Sequence, residues 1–96
     1  MPNQFIDLSF SVNPDAAASF HDEGMVVLHT GKGRLFSANG TGASIWRRIE
    51  QRLPLGVIAD EISGEYQIPR ATAREQTAHF LAELERHALV QRRALS

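Results

Sequence analysis

The stretch from residue 31 to residue 46, GKGRLFSANGTGASIW, decides the fold because it joins a β-strand pattern directly to a helical one. Gly40-Thr41-Gly42 stands at the junction, where glycine-rich loops often bind phosphate. Neither the P-loop spacing nor the dinucleotide-binding spacing is present, and the preceding strands are not of the parallel type that those motifs require. We therefore interpret the glycines as a sharp turn from sheet to helix, with Asn39 or Thr41 capping the helix.

A small antiparallel meander is predicted upstream of that junction. Apolar runs separated by glycine turns indicate strands at 16–21, 25–29 and 34–38. Because the third strand follows its neighbour through a hairpin, its other side is expected to be a free edge. Apolar and polar residues also alternate from Leu8 to Val12, so the arm of residues 1–15 is either an extra edge strand or an ordered tail lying on the domain.

Three amphipathic helices are predicted downstream of the junction, the second and third beginning near Pro54 and Pro69. Their apolar stripes are Ile45, Trp46, Ile49 and Leu53 in the first, Leu55, Ile58, Ala59, Ile62 and Tyr66 in the second, and Ala73, Thr77, Phe80, Leu81, Leu84 and Ala88 in the third. The predicted fold class is therefore α+β, with a three-stranded antiparallel sheet followed by three helices, similar to a winged helix-turn-helix.

Composition limits the classes of function. The chain has 96 residues, 43% of them hydrophobic, which suits one domain with a core of its own. It has no cysteine, so disulfides, thiolate zinc sites and thiol nucleophiles are excluded, and a cytoplasmic location is the expectation. The formal net charge of −1 creates no general attraction for nucleic acid or anionic lipid. No apolar run is long enough for a membrane span, and no export signal is recognisable.

Polar residues that might support catalysis lack the necessary spacing. Four histidines are present, at His21, His29, His79 and His87. They match no metal-binding motif, and we interpret them as solvated side chains. The acidic pairs on the predicted helices are typical of a solvated helical face, and no nucleophile motif accompanies them. The sequence therefore predicts a protein that is not an enzyme and that has no metal and no cofactor.

A DNA-binding regulator is the alternative hypothesis. Helices at 55–66 and 69–88 with a short connection are typical of a winged helix-turn-helix. The recognition helix would carry basic and acidic residues together, namely Arg70, Arg74, His79, Arg86, Glu75, Glu83 and Glu85. This balanced charge weakens the attraction for phosphate.

The order of these elements resembles the family of the pyrroloquinoline quinone biosynthesis protein D over roughly residues 16–91. The matching positions are Asn39, Thr41, Gly42, Ala43, Ile45 and Trp46, then Phe80, Leu81, Leu84 and Leu89. The chain departs from the family pattern at Ala38, Gly40, Gln76 and Ala88, where Leu, Glu or Pro, Asp and Gly are usual. On this basis the chain divides into an arm at 1–15, a recognition domain at 16–91 and a tail at 92–96.

The resemblance implies a non-catalytic recognition element that binds the leader segment of a ribosomally made precursor peptide. Such an element presents the leader to modifying enzymes, such as a leader protease or a radical SAM enzyme. The product is then a lasso peptide, a quinone cofactor or a radical-modified peptide. The expected partners include neither nucleic acid nor a membrane, and the expected state is a monomer or a homodimer.

The leader is expected to add as a fourth strand along the last strand of the meander, which comprises Arg34, Leu35, Phe36, Ser37 and Ala38. Alternation and the family register place Phe36 and Ala38 toward the core, with Leu35 and Ser37 pointing away.

The third helix is expected to form the other wall of the binding groove. Phe80 and Leu84 are predicted core residues, with Thr77 beside them. The adjoining stripe, the candidate groove wall, comprises Arg74, Ala78, Leu81 and Glu85. Arg74 would then meet a leader carboxylate. The alternative is that Leu81 belongs to the core and that Arg74 and Glu85 are solvated.

Overall fold

The computed structural model describes residues 8–93 of the chain. In chain order the elements are β1 (Ser9–Val12), β2 (Ala16–His21), β3 (Gly24–His29), β4 (Arg34–Asn39), α1 (Gly40–Glu50), α2 (Leu55–Tyr66), α3 (Arg70–Arg86) and β5 (Val90–Arg93). The predicted α+β fold of an antiparallel meander followed by three helices is confirmed. Residues 1–7 of the predicted arm and 94–96 of the predicted tail lie outside the described part.

The described strands form two antiparallel sheets. The central sheet has the order β2-β3-β4, and a smaller sheet pairs β1 with β5. Of the two alternatives for the N-terminal arm, its described part forms a strand, which pairs with the end of the chain and not with the meander. Arg92 and Arg93, assigned from the sequence to a tail, are in β5.

Each helix begins where the sequence indicates. The Asn39 side chain accepts a hydrogen bond from the Gly42 N–H at 3.0 Å, so Asn39 is the N-cap of α1. Pro54 and Pro69 hold the N-cap positions of α2 and α3, where extended backbone precedes the first helical turn. The junction from β4 to α1 is thus a capped turn, as the glycines and Asn39 predicted.

The core lies between the inner face of the central sheet and the three helices. Its largest fully buried side chains are Trp46, Met25, Ile45, Ile49, Leu55, Ile58, Ile62, Leu81, Leu84 and Leu89. Phe10 of β1 and Val90 of β5 are buried in the same cluster, so the two ends of the described chain help to close it. Between residues 8 and 93, no helix is long and apolar enough to cross a membrane.

A polar network joins α1 to α2 on the surface. The Arg48 guanidinium donates to Glu61 at 2.7 Å and to Glu65 at 2.8 Å, and the Ser44 hydroxyl donates to Glu65 at 3.0 Å. Partial burial raises the pKa of Glu65, but the hydrogen bonds from Arg48 and Ser44 and the Arg48 charge outweigh it, so the pKa is lowered overall. The network links the two helices, and none of its side chains lies on β4.

Candidate functional site

The hydrogen-bond pattern shows which backbone groups lie at the free edge of β4. The Thr30 N–H donates to the Asp15 carbonyl at 2.9 Å, and Ala16 is paired with His29. This bond flanks the Ala16–His29 pair, so His29 directs its own N–H and C=O away from β2 and toward β4. Because hydrogen-bonding direction alternates along a strand, Val27 and Met25 also face β4. Their partners and that of His29, namely Arg34, Phe36 and Ala38, therefore hydrogen-bond to β3. The N–H and C=O groups of Leu35 and Ser37 are left facing outward.

The side chains of β4 alternate between the two faces of the sheet as predicted. Phe36 and Ala38 are half-buried and pack against the core cluster. Leu35 is 70% exposed, and Ser37 is also exposed on the opposite face. The strand therefore offers two free backbone positions at its edge and an apolar inner face beside it.

A row of three rings lines the cleft between β4 and α3. The ring of Phe36 lies 6.1 Å from that of Phe80 and 5.2 Å from that of His87, measured between centroids. We call Phe80, Phe36 and His87 the aromatic row. Gly42 allows the close packing at one end of it, because a Cβ there would lie 2.8 Å from the Ala38 Cβ and 3.0 Å from the Phe80 ring. The row forms an apolar floor that runs parallel to the free edge.

A recess of about 710 Å³, which we call the wide recess, opens at the Phe80 end of the row. Its residues from the β4–α1 junction are Asn39, Thr41, Gly42 and Ile45, and those from α3 are Thr72, Glu75, Gln76, His79 and Phe80. Apolar groups thus sit beside hydroxyl, amide and imidazole groups. Such a lining suits a large side chain with an apolar body, with polar groups available at its margin.

The other end of the row is basic. A small recess of about 40 Å³, which we call the basic recess, is lined by His29, Lys32, Arg34, Leu35, Phe36, Arg86, His87 and Leu89. His29 is only 6% exposed, and its Nδ1 accepts a hydrogen bond from the Lys32 N–H at 3.2 Å. The expectation that every histidine is solvated is therefore wrong for His29, which packs beneath the β3–β4 turn.

The structure places the predicted groove wall on α3 outside the two recesses beside β4. Leu81 is 1% exposed and belongs to the core, and Thr77 is fully buried. Glu85 forms an ion pair with Arg92 of β5 at 2.8 Å, and the Nε atom of Arg74 is buried. None of these four residues, nor Ala78, lines either recess beside β4 in the described chain. The predicted stripe lies on the flank of the helix turned away from the cleft.

The α3 residues that line the cleft are not among the binding residues that the sequence predicted. Phe80, predicted to be core, is half-buried and shared between the core and the cleft. Counting back from Phe80 in steps of four gives Gln76 and Thr72, which share its face of the helix. The departure from the family pattern at Gln76 was the available signal. Among residues 8–93, no group of three or more His, Asp or Glu side chains is arranged to hold a metal.

Comparison with known proteins gives a family match and two similar structures. The family model of Coenzyme PQQ synthesis protein D (PqqD) matches residues 24–90. The structure "TbiB1 in Complex with the TbiA(beta) Leader Peptide" has a TM-score of 0.79 and 26% identity, covering 84% of this chain and 94% of that one. "Lasso peptide synthetase B1 complexed with the leader peptide" has a TM-score of 0.79 and 24% identity, covering 86% and 98%, and supports the fold. Curated protein sequences gave no significant match.

Proposed function

We propose that this chain, which belongs to the PqqD family, captures the leader segment of a ribosomally made precursor peptide and holds it for modifying enzymes. The similar structure at 26% identity is of TbiB1 with a leader peptide, which supports the same class of ligand here. The observation that carries the proposal is the free edge of β4 beside a cleft lined by the aromatic row. One surface thus combines a backbone template with an apolar floor.

The leader adds to β4 as a fourth strand of the central sheet. Its backbone bonds to the outward N–H and C=O groups of Leu35 and Ser37, the edge positions derived from the register. Such bonds require little of the peptide sequence, because every residue except proline supplies both groups. Strand addition therefore supplies affinity for an extended segment of almost any composition.

Selectivity comes from the side chains that the leader turns toward α3. Every second residue of an added strand points to the same face, so alternate leader side chains lie over the inner face of β4. One reaches the wide recess and others cover Phe36 and Ala38, which are half-buried without the peptide. Burial of apolar leader side chains there provides the larger part of the binding free energy.

The chain contributes recognition and no chemistry of its own in this proposal. The reactions belong to partner enzymes such as a leader protease or a radical SAM enzyme, which act on the part of the precursor beyond the leader. The exposed edge of β4 suits this division, since a peptide bound along an edge has both ends free to extend to a second protein.

Fluorescence anisotropy with the labelled leader of a short precursor peptide, sought among the genes that neighbour the one for this chain, tests the proposal. We expect saturable binding of the labelled leader and clearly weaker binding of a labelled peptide with the same residues in scrambled order. The purified chain should leave the whole precursor unmodified, as measured by mass spectrometry. Failure of the leader to bind, or turnover of the precursor by this chain alone, would contradict the proposal.

A further inference from the structure

The cleft beside β4 is electrically asymmetric along its length. At the His87 end, the basic recess brings together Lys32, Arg34 and Arg86. At the Phe80 end, the wide recess has one carboxylate, Glu75, and neither Lys nor Arg among its lining residues. The nearest ion pair at the basic end joins Arg86 to Glu83, so that cation is already neutralised. Lys32 and Arg34 form no ion pair with any residue of the described chain.

Arg34 is placed to act on a strand bound at β4. It has the same parity as Phe36 and Ala38, so its side chain is on the inner face of the sheet, in line with the aromatic row. It is exposed, and the Asp15 carboxylate beside the neighbouring turn, 3.2 Å from where a Cβ of Gly31 would lie, forms no ion pair with it in the described chain. The apolar floor thus ends in a cation that the peptide, and not the protein, is left to neutralise.

We propose that the basic end binds a carboxylate side chain of the leader, with Arg34 as its principal contact and Lys32 in support. The inference rests on the proposed function. Arg34 lies two residues from Phe36 on the same face of β4. An acidic leader residue about two positions from the leader residue that covers Phe36 therefore stands opposite Arg34. Oppositely charged pairs across strands are favourable, whereas a basic leader residue at this position is repelled. The asymmetry therefore also fixes the direction in which the leader lies along β4.

Peptide selection on phage tests the assignment. Random peptides of about twelve residues, long enough to cover the strand, are selected on the whole chain and counter-selected on Ser37→Pro, which blocks the edge. We expect Asp or Glu to be enriched at one fixed position relative to an apolar anchor. With Arg34→Glu, Lys or Arg should replace the acid at that same position. Arg52→Glu is the matched control, because Arg52 is exposed, without an ion pair in the described chain, and outside both recesses.

A selected peptide then gives the size of the carboxylate's contribution to binding affinity. Replacing its acid by the amide should weaken binding to the unmodified chain by about twofold to fivefold, and should have a smaller effect on binding to Arg34→Gln. Two results would overturn the carboxylate site and leave the proposed function standing. In the first, peptides that need the β4 edge show no preference for Asp or Glu. In the second, the same acidic preference persists when the selection is made on Arg34→Glu. A selection that yields no edge-dependent peptide would count against both.

Discussion

The central sheet has two edges with no neighbouring strand in the described chain, β2 and β4, and they differ in what lies beside them. Both have outward backbone groups, at Ala18 and Phe20 on β2 and at Leu35 and Ser37 on β4, so hydrogen bonding alone does not favour one edge. Only β4 borders the cleft with α3, because both recesses along that helix contain residues of β4 and none of β2. The neighbouring helix, and not the free edge, distinguishes the site.

The two edges also differ in where their inner-face cation lies. The Arg47 guanidinium lies 4.0 Å above the ring of Phe20, on the inner face of β2. A charge held next to an edge strand discourages pairing with another chain, since an added strand would have to desolvate it. At β4 the inner-face cation is Arg34 at the start of the strand, and the inner-face aromatic residue, Phe36, lies beside Phe80 and His87 in the aromatic row. The comparison predicts that equivalent changes at the two edges have unequal effects on leader binding.

The largest difference is expected from proline at the two edges. Ser37→Pro removes an outward N–H of β4 without removing a bond to β3, and its ring obstructs the incoming strand. We expect leader affinity to fall by at least about tenfold, which one lost hydrogen bond and the steric conflict together account for. Ala18→Pro makes the same change at the β2 edge and should leave affinity within about twofold.

Anisotropy gives both affinities, and circular dichroism checks that each proline variant retains its fold. Equal affinities for the two folded variants and the unmodified chain would exclude strand addition at β4. A selective loss in Ala18→Pro would move the site to the other edge.

Two variants, each lacking one aromatic ring at one edge, separate the effect on leader binding from the effect on the stability of the fold. Phe36→Ala and Phe20→Ala both delete a half-buried ring on the inner face, so each should lower the free energy of unfolding by about 1–3 kcal/mol. Only Phe36→Ala removes part of the peptide floor, and it should weaken leader binding by about fivefold. Urea unfolding and anisotropy measure the two effects. Similar affinity losses in both variants would mean that the loss follows from stability and not from contact with the leader.

Local chemistry explains why so much of the fold was predictable. Asn39 caps α1 with its side chain, and the rings of Pro54 and Pro69 set the backbone angle that leads into α2 and α3. Alternation along β4 separates Phe36 from Leu35 without reference to distant residues. The pairing of β1 with β5 was not predictable in the same way, because Val12 and Val90 meet only when the whole chain has folded. Local signals determined the elements, and tertiary packing determined which of them pair.

The difference between the predicted stripe on α3 and the residues that line the recesses has the same origin. An apolar helical stripe has two flanks, and periodicity treats them equally. Here the flank with Gln76 and Phe80 faces β4, while Glu85 on the other flank reaches Arg92 of β5. Which flank faces the sheet depends on how α3 crosses it, and that is fixed by the packing of Leu81 and Leu84 in the core. The free edge was therefore predictable from the sequence, but its opposite wall was not.

Salt provides a smaller effect that separates a peptide edge from a DNA reader. Backbone bonds and apolar burial depend little on ionic strength, and the single charge pair proposed at Arg34 adds a shallow slope. Raising salt from about 50 to 200 mM should therefore weaken leader binding by no more than about fourfold, whereas several phosphate contacts would cost orders of magnitude. Titrations of labelled leader and labelled duplex DNA at both salt concentrations make the comparison. Steep salt dependence with DNA and no leader binding would establish the winged-helix regulator instead.

The smallest effect is expected at the network between α1 and α2, whose side chains lie on neither edge. Because the pKa of Glu65 is lowered in the folded chain, its contribution to stability is fully present above the ordinary glutamate pKa of 4.5 and is lost as the pH falls through the lowered value. Glu65 is 41% exposed, so solvent screening limits the gain from Arg48 to less than about 1 kcal/mol. Glu65→Gln should therefore be slightly less stable than the unmodified chain at neutral pH, and the gap should close on acidification.

Urea unfolding from neutral pH down to about one unit below the ordinary glutamate value measures that gap. Asp60→Asn, which removes the exposed pair with Arg70, is the matched control for the loss of one surface carboxylate. Leader affinity at neutral pH should be the same for Glu65→Gln, Asp60→Asn and the unmodified chain, because neither carboxylate lies on β4 or lines the cleft. A gap that widens as the pH falls would mean that Glu65 is stabilised in its protonated form. A loss of leader affinity in Glu65→Gln alone would mean that the angle between α1 and α2 positions the β4 edge, and the site would then extend beyond the cleft.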